Sequence, residues 1–191
     1  MKRPLLALLA LAALVSCGQE TATITVLTSP GAEIRYTDVG SGRLPYYTLG
    51  TDAVADSSGA VTITVTGGMT GVTRINHGRT GTLLYSLPEA KDTIVFNDGG
   101  SEIRGESRPY SLCLQKVEEL AQTVFSMRLV GYDGVFSDTL SLDAFRHVAD
   151  SVSGQVKRFV DSQPVDADFK AEQDKYVDYL VKVSTLEKLF N

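Results

Sequence analysis

Thr23-Ile24-Thr25-Val26-Leu27-Thr28-Ser29-Pro30-Gly31-Ala32-Glu33-Ile34-Arg35-Tyr36-Thr37 places two runs of alternating apolar and polar residues on either side of a Ser-Pro-Gly turn. Successive side chains of a strand point to opposite faces, so such alternation describes strands with one buried side. The pattern returns in Val61-Thr62-Ile63-Thr64-Val65, Val72-Thr73-Arg74-Ile75, Thr82-Leu83-Leu84-Tyr85 and Thr93-Ile94-Val95-Phe96. Between these runs lie Gly67-Gly68, His77-Gly78, Leu87-Pro88-Glu89 and Asn97-Asp98-Gly99-Gly100, residues that supply turns. Six to eight short strands at this spacing predict an antiparallel β-sandwich or a partly open barrel.

Downstream of Ser107-Arg108-Pro109 the period changes from two to between three and four. Cys113, Val117, Leu120, Ala121 and Val124 share one face of a helix running from Tyr110 to about Leu129, which Gly131-Tyr132-Asp133-Gly134 ends. Ser141 is placed to cap a second helix with Phe145, Ala149, Val152, Val156 and Phe159 on its stripe. Gln163-Pro164 breaks it, and Asp166 or Asp168 caps a third, with Phe169, Tyr176, Leu180, Val183 and Phe190 apolar and Lys170, Glu172, Asp174, Lys175, Asp178 and Lys182 solvated. Each narrow apolar face must be covered by another helix or by the sheet, so the expected class is α+β: a sandwich or partly open barrel followed by a three-helix region.

The N-terminus carries an address. Lys2 and Arg3 precede an uncharged apolar run from Leu5 to Val15, the form of a secretory signal. That run is about half the roughly 20 residues a helix needs to span a bilayer. Its end, Leu14-Val15-Ser16-Cys17-Gly18, resembles the lipobox of bacterial lipoproteins, which implies lipid on the Cys17 thiol and cleavage before it. Two or three acyl chains anchor stably where one is marginal. Gly18 stands where an inner-membrane retention signal has aspartate, and Gln19-Glu20-Thr21 has only one acid, so the expected address is an outer membrane, facing the periplasm, with the cell surface as the alternative. The expected divisions are a signal peptide (1–16), a lipidated tether (17–22), a β-sandwich-like domain (23–106) and a helical region (107–191).

The 191 residues carry 18 Lys and Arg against 23 Asp and Glu, a net charge of −5, and loss of Lys2 and Arg3 makes the mature chain more acidic still. That balance argues against nucleic acid and anionic lipid surfaces as partners. With Cys17 assigned to lipid, Cys113 is the remaining cysteine, so the chain offers no Cys-x-x-Cys pair, no intrachain disulfide and no cysteine-rich metal site. Cys113, in the apolar patch Tyr110-Ser111-Leu112-Cys113-Leu114, reads as a buried packing residue.

The order of lipobox, β module containing Asp56-Ser57-Ser58-Gly59-Ala60-Val61-Thr62-Ile63, and helices containing Phe169-Lys170-Ala171-Glu172 resembles the N-terminal, non-thioredoxin region of thioredoxin-like (TlpA/ResA-type) lipoproteins of the Bacteroidetes. In that family a thioredoxin domain with a Trp-Cys-x-x-Cys centre follows. This sequence has no tryptophan and no Cys-x-x-Cys, so the resemblance carries over an architecture and no catalytic residue. It implies either a stand-alone accessory version or a gene shortened before its redox half.

No other constellation stands out. His77, in Asn76-His77-Gly78-Arg79, and His147 are too isolated for a zinc site or a catalytic triad, and no Gly-x-Ser-x-Gly elbow is present. Asp52 with Asp56, or Asp92 with Asp98, have the composition of a glycosidase pair but read more simply as turn aspartates. Gly67, Gly68, Gly71, Gly78 and Gly81 lack the helix and the Lys-Ser/Thr of a phosphate cradle. Tyr46 and Tyr47, in Arg43-Leu44-Pro45-Tyr46-Tyr47-Thr48-Leu49, are candidate partner-binding residues, since adjacent tyrosines of an extended segment face opposite sides. The expectation is thus a non-catalytic, lipid-anchored accessory or binding module without metal or cofactor. Its expected partners are the membrane, through Cys17, and a thioredoxin-like or other envelope protein. A truncated thiol–disulfide oxidoreductase and a peptide- or glycan-binding surface lipoprotein are the rival expectations.

Overall fold

The structure, a computed structural model, describes residues 21–38, 50–66, 71–122 and 140–190; Cys17, Tyr46, Tyr47 and the part of the first expected helix beyond Gln122 lie outside them. Eight strands come first: β1 (Thr21–Leu27), β2 (Glu33–Asp38), β3 (Thr51–Val54), β4 (Ala60–Thr66), β5 (Gly71–His77), β6 (Thr80–Ser86), β7 (Lys91–Asn97) and β8 (Gly100–Arg104). Three helices follow, α1 (Arg108–Gln122), α2 (Leu142–Asp161) and α3 (Ala167–Phe190). The strands form two four-stranded sheets, ordered β4-β1-β7-β8 and β3-β2-β5-β6. The class is therefore α+β, a β-sandwich followed by helices.

The alternation read from the sequence becomes the inner lining of the sandwich. Ile24, Val26, Val61, Ile63, Ile94, Phe96 and Ile103 of the first sheet meet Ile34, Ile75 and Leu84 of the second in one buried cluster. Each such side chain contributes about 1.5–3 kcal/mol by leaving water. One pairing departs from the antiparallel expectation: β1 and β7 run parallel, with Thr23 opposite Lys91 and Leu27 opposite Val95. A parallel pair needs a long connection, and here that connection is most of the sandwich itself, β2 to β6.

The second sheet carries an additional layer. Along β6, Thr82, Leu84 and Ser86 turn inward, whereas Leu83, Tyr85 and Leu87 belong to a second core shared with the helices. The uninterrupted Leu83-Leu84-Tyr85 therefore marks a strand buried on both faces. Tyr85 stacks on Tyr110 at 5.8 Å and meets the edge of Phe169 at 4.7 Å, joining β6 to α1 and α3. Phe145, Ala149, Val156 and Val160 of α2 and Val177 and Leu180 of α3 complete this core. Cys113 lies within it at 1% exposure.

β6 is also the last strand of its sheet, and α1 closes its free edge. The Ser111 hydroxyl accepts from the Tyr85 N–H (3.0 Å) and donates to the Ser107 carbonyl (2.8 Å). The Ser107 hydroxyl accepts from the Leu87 N–H (3.0 Å), and Gln115 Nε2 donates to the Leu83 carbonyl (2.8 Å). Buried Asp92 holds the start of the helix by accepting from the Ser107 N–H (3.0 Å). Between them Gly105 has φ +120, and a Cβ there would stand 2.3 Å from Asp92 Oδ1. Asp92 is thus a buried strand residue holding a helix start, which corrects its reading as a turn aspartate.

The helix signals resolve individually. Ser141 caps α2, accepting from the Ala144 N–H at 3.3 Å. Asp166, rather than Asp168, caps α3 by accepting from the Phe169 N–H at 2.8 Å. That hydrogen bond, together with one from the Tyr110 hydroxyl, holds the Asp166 carboxyl below its usual range. A lowered folded-state pKa contributes stability at neutral pH that is lost as the carboxyl protonates, in the acid range below about pH 4. Asp166→Ala is expected to cost about 1 kcal/mol in urea unfolding at neutral pH. Asp166→Asn retains the capping acceptor, costs less, and removes this group's share of the acid-induced loss.

Candidate functional site

Among the described residues, the outer face of the second sheet is only partly covered. The α1 helix lies over the β6 side, above Leu83 and Tyr85, and leaves the β2–β3 side open. Strand register sets a polar row across the open part: Asp52 faces Arg35, Arg35 faces Asn76, and Asn76 faces Gly81. Two depressions flank Asn76. One, of about 620 Å³, is an open cleft along Glu33, Arg35, Asp52, Asn76 and His77. The other, of about 410 Å³, is a groove between the β5–β6 hairpin and α1, bounded by Arg74, Asn76, Arg79, Thr82, Gln115 and Glu118.

The two depressions differ in how their charges are engaged. In the open cleft, Arg35 forms a two-pronged pair with Asp52, at 2.8 and 3.0 Å, and this raises the Arg35 pKa further. Both side chains are well exposed, so the pair contributes little to stability. In the groove, Arg74 and Arg79 have no carboxylate partner among the described residues, and Arg74 Nε is shut off from solvent without a hydrogen-bond acceptor. A buried donor left unmet costs about 1–3 kcal/mol. Glu118 is 8% exposed and contributes the groove's one carboxylate among the residues that bound it.

The floor is set by small details of packing. Gln115 Nε2 spans from Thr82 Oγ1 (3.0 Å) to the Leu83 carbonyl (2.8 Å), which fixes the middle of α1 over β6. Gly81 leaves room for Asn76, whose Oδ1 would lie 2.4 Å from a Cβ at that position. Gly81, one of the glycines without the surroundings of a phosphate cradle, thus serves the close approach of the side chain opposite it on β5.

The residues singled out from the sequence are otherwise engaged or dispersed. His77 Nε2 is hydrogen-bonded to the Thr28 hydroxyl at 3.2 Å, and its ring meets the edge of Phe96 at 5.5 Å, so it joins the two sheets at one end of the sandwich. His147 is exposed on α2, and the structure does not bring the histidines together. Asp56 closes a turn, accepting from the Ser58 N–H, the Ser58 hydroxyl and the Ala60 N–H, and these bonds hold its carboxyl low. Among the described residues no group of three or more His, Cys, Asp or Glu comes together in a way that would hold a metal ion, and no helix is long and apolar enough to cross a membrane. Arg74 and Arg79, the groove's cations, carry no motif; their only sequence signal is an outward strand position and an adjoining turn.

No family model matches the chain, and no curated protein matches it. Among solved structures, the N-terminal domain of AlgF from P. aeruginosa is similar over 48% of this chain and 99% of its own length, at 14% identity and a TM-score of 0.34. At that score the likeness supports no argument about fold or function.

The packing of Gly81 against Asn76 has a direct test. Gly81→Ala is expected to push the Asn76 amide off the groove floor, shifting its side-chain NMR resonances. Thermal stability should fall by no more than about 1 kcal/mol, because Oδ1 is the end of a flexible side chain. A loss of several kcal/mol would mean that the Asn76 amide cannot move aside.

Proposed function

We propose that this chain is a lipid-anchored cell-envelope protein acting as a non-catalytic accessory or binding module, held through Cys17 to an outer membrane and facing the periplasm. The observation that carries the reading is the position of the polar outer face relative to the start of β1. Thr21 pairs with Thr66 and Thr23 with Lys91 at one end of the first sheet. Leu27 pairs with Ala60 at the other end, where the Thr28–His77 hydrogen bond ties in the β5–β6 turn. A seven-residue strand spans about 20 Å, so the turn bearing Arg79 stands about that far from Thr21. Four residues from Cys17 to Thr21 reach at most about 14 Å. An acylated Cys17 would therefore hold the sandwich close to the bilayer, with the β5–β6 turn at the opposite end of β1 from the anchored end.

Further details favour a binding module over its rivals. Cys113 lies at 1% exposure in the core between β6 and the helices, the place of a packing residue and not of a reactive thiol. Among the described residues, neither depression on the outer face is lined by a Phe or Tyr ring on which a sugar would stack. The acids considered as catalytic pairs serve Arg35, a turn and a helix start.

The anchor is tested by growing cells with labelled palmitate. The wild-type chain is expected to take up label and partition with membranes, and Cys17→Ala to lose both. Equal labelling of the two, or no labelling of the wild type, would overturn this reading.

A further inference from the structure

Of the described arginines, Arg35, Arg104 and Arg146 are ion-paired with a carboxylate, whereas Arg74, Arg79, Arg108 and Arg158 are not. Arg35 is paired with Asp52 at 2.8 Å and Arg104 with Glu102 at 2.7 Å, both on open surface. Arg146 lies 3.8 Å from Asp143 along α2. Of these four, Arg74 and Arg79 together line the groove between the β5–β6 hairpin and α1. The groove thus gathers two guanidinium groups that no carboxylate meets among the described residues. One of them has its Nε–H buried with no acceptor.

We propose that this groove binds a small ligand through a single oxyanionic group, a carboxylate or a phosphate, with Arg74 and Arg79 as its charged donors. Guanidinium groups present planar forks of N–H donors that match such oxygens and hold their charge at any physiological pH. The Asn76 amide, beside them on the same face, adds a neutral donor. The volume of about 410 Å³ is in the range of small-molecule sites, and among the described residues that line it there is no aromatic ring on which a base or sugar would stack. The inference rests on reading the chain as a binding module, but not on its anchor.

The test follows the Arg74 Nε–H resonance of the isotopically labelled full chain in detergent micelles. Inorganic phosphate and acetate are added separately at constant ionic strength. A saturable shift in the millimolar range with either probe supports the proposal; a response to phosphate alone assigns a phosphate ligand, and a response to acetate alone a carboxylate. Arg74→Gln and Arg79→Gln, the latter on an exposed turn and safe for folding, should each weaken binding about tenfold, read for Arg74→Gln on backbone amides of the β5–β6 turn. Arg74→Lys should retain part of the affinity, and Arg104→Gln should leave it unchanged. Non-saturating shifts of equal size at Arg74, Arg35 and Arg104 would show general ion screening and overturn the proposal, as would affinity unmoved by both groove variants. Failure here leaves palmitate labelling of Cys17 untouched, so loss of the ligand and loss of the anchor are separately visible.

Discussion

The free edge of β6 is the constraint on which the rest of the structure depends. A terminal strand exposes a row of N–H and C=O groups that must find partners or remain wet. Here the partners are side chains of α1 and of the residue just before it: Ser111 for the Tyr85 N–H, Ser107 for the Leu87 N–H and Gln115 for the Leu83 carbonyl. Spaced four residues apart, Ser107, Ser111 and Gln115 advance one helical turn at a time and track alternate residues of the strand. The helix thus stands in for a ninth strand, and this match sets both its direction and its height along β6.

Placement of α1 determines the remaining architecture. With the helix held at the edge, Leu83, Tyr85 and Leu87 have a second core to enter, while Leu84 remains in the sandwich. Tyr85 then organises Tyr110 and Phe169, and its hydroxyl donates to Glu172 at 3.2 Å, drawing the start of α3 onto the sheet. Because α1 runs back toward the β5–β6 turn, its later residues Glu118 and Gln122 reach the hairpin and form one wall of the groove. The polar face and the double core follow from the same contacts.

Much of this fold is legible in the sequence, for reasons particular to each element. Alternation marks β1, β4 and β7 because one face of each is buried throughout. The strands β3 and β8 carry no such pattern: they are edge strands in which Ala53 and Ile103 alone turn toward the core. The stripe expected on α3 is displaced by part of a turn, since polar Gln173 and Ser184 occupy its buried line beside Phe169, Val177 and Leu180, leaving Tyr176 and Val183 half-covered. On α2 the buried position is Val160 rather than Phe159 for the same geometric reason. The groove is less legible, because it depends on which arginines lack carboxylates, and pairing between strands distant in sequence is set by register rather than by local pattern. Cys17 retains the one definite chemical assignment that sequence supports, and it lies with Tyr46 and Tyr47 outside the described residues.

Amide hydrogen exchange tests the central claim most directly, because it reads individual N–H groups on the edge of β6. If α1 closes that edge, the Tyr85 and Leu87 amides exchange as slowly as that of Ile75 in the neighbouring strand β5, and Ser111→Ala releases Tyr85 selectively. Exchange of Tyr85 and Leu87 in the wild-type chain as fast as that of an exposed edge strand would contradict the account.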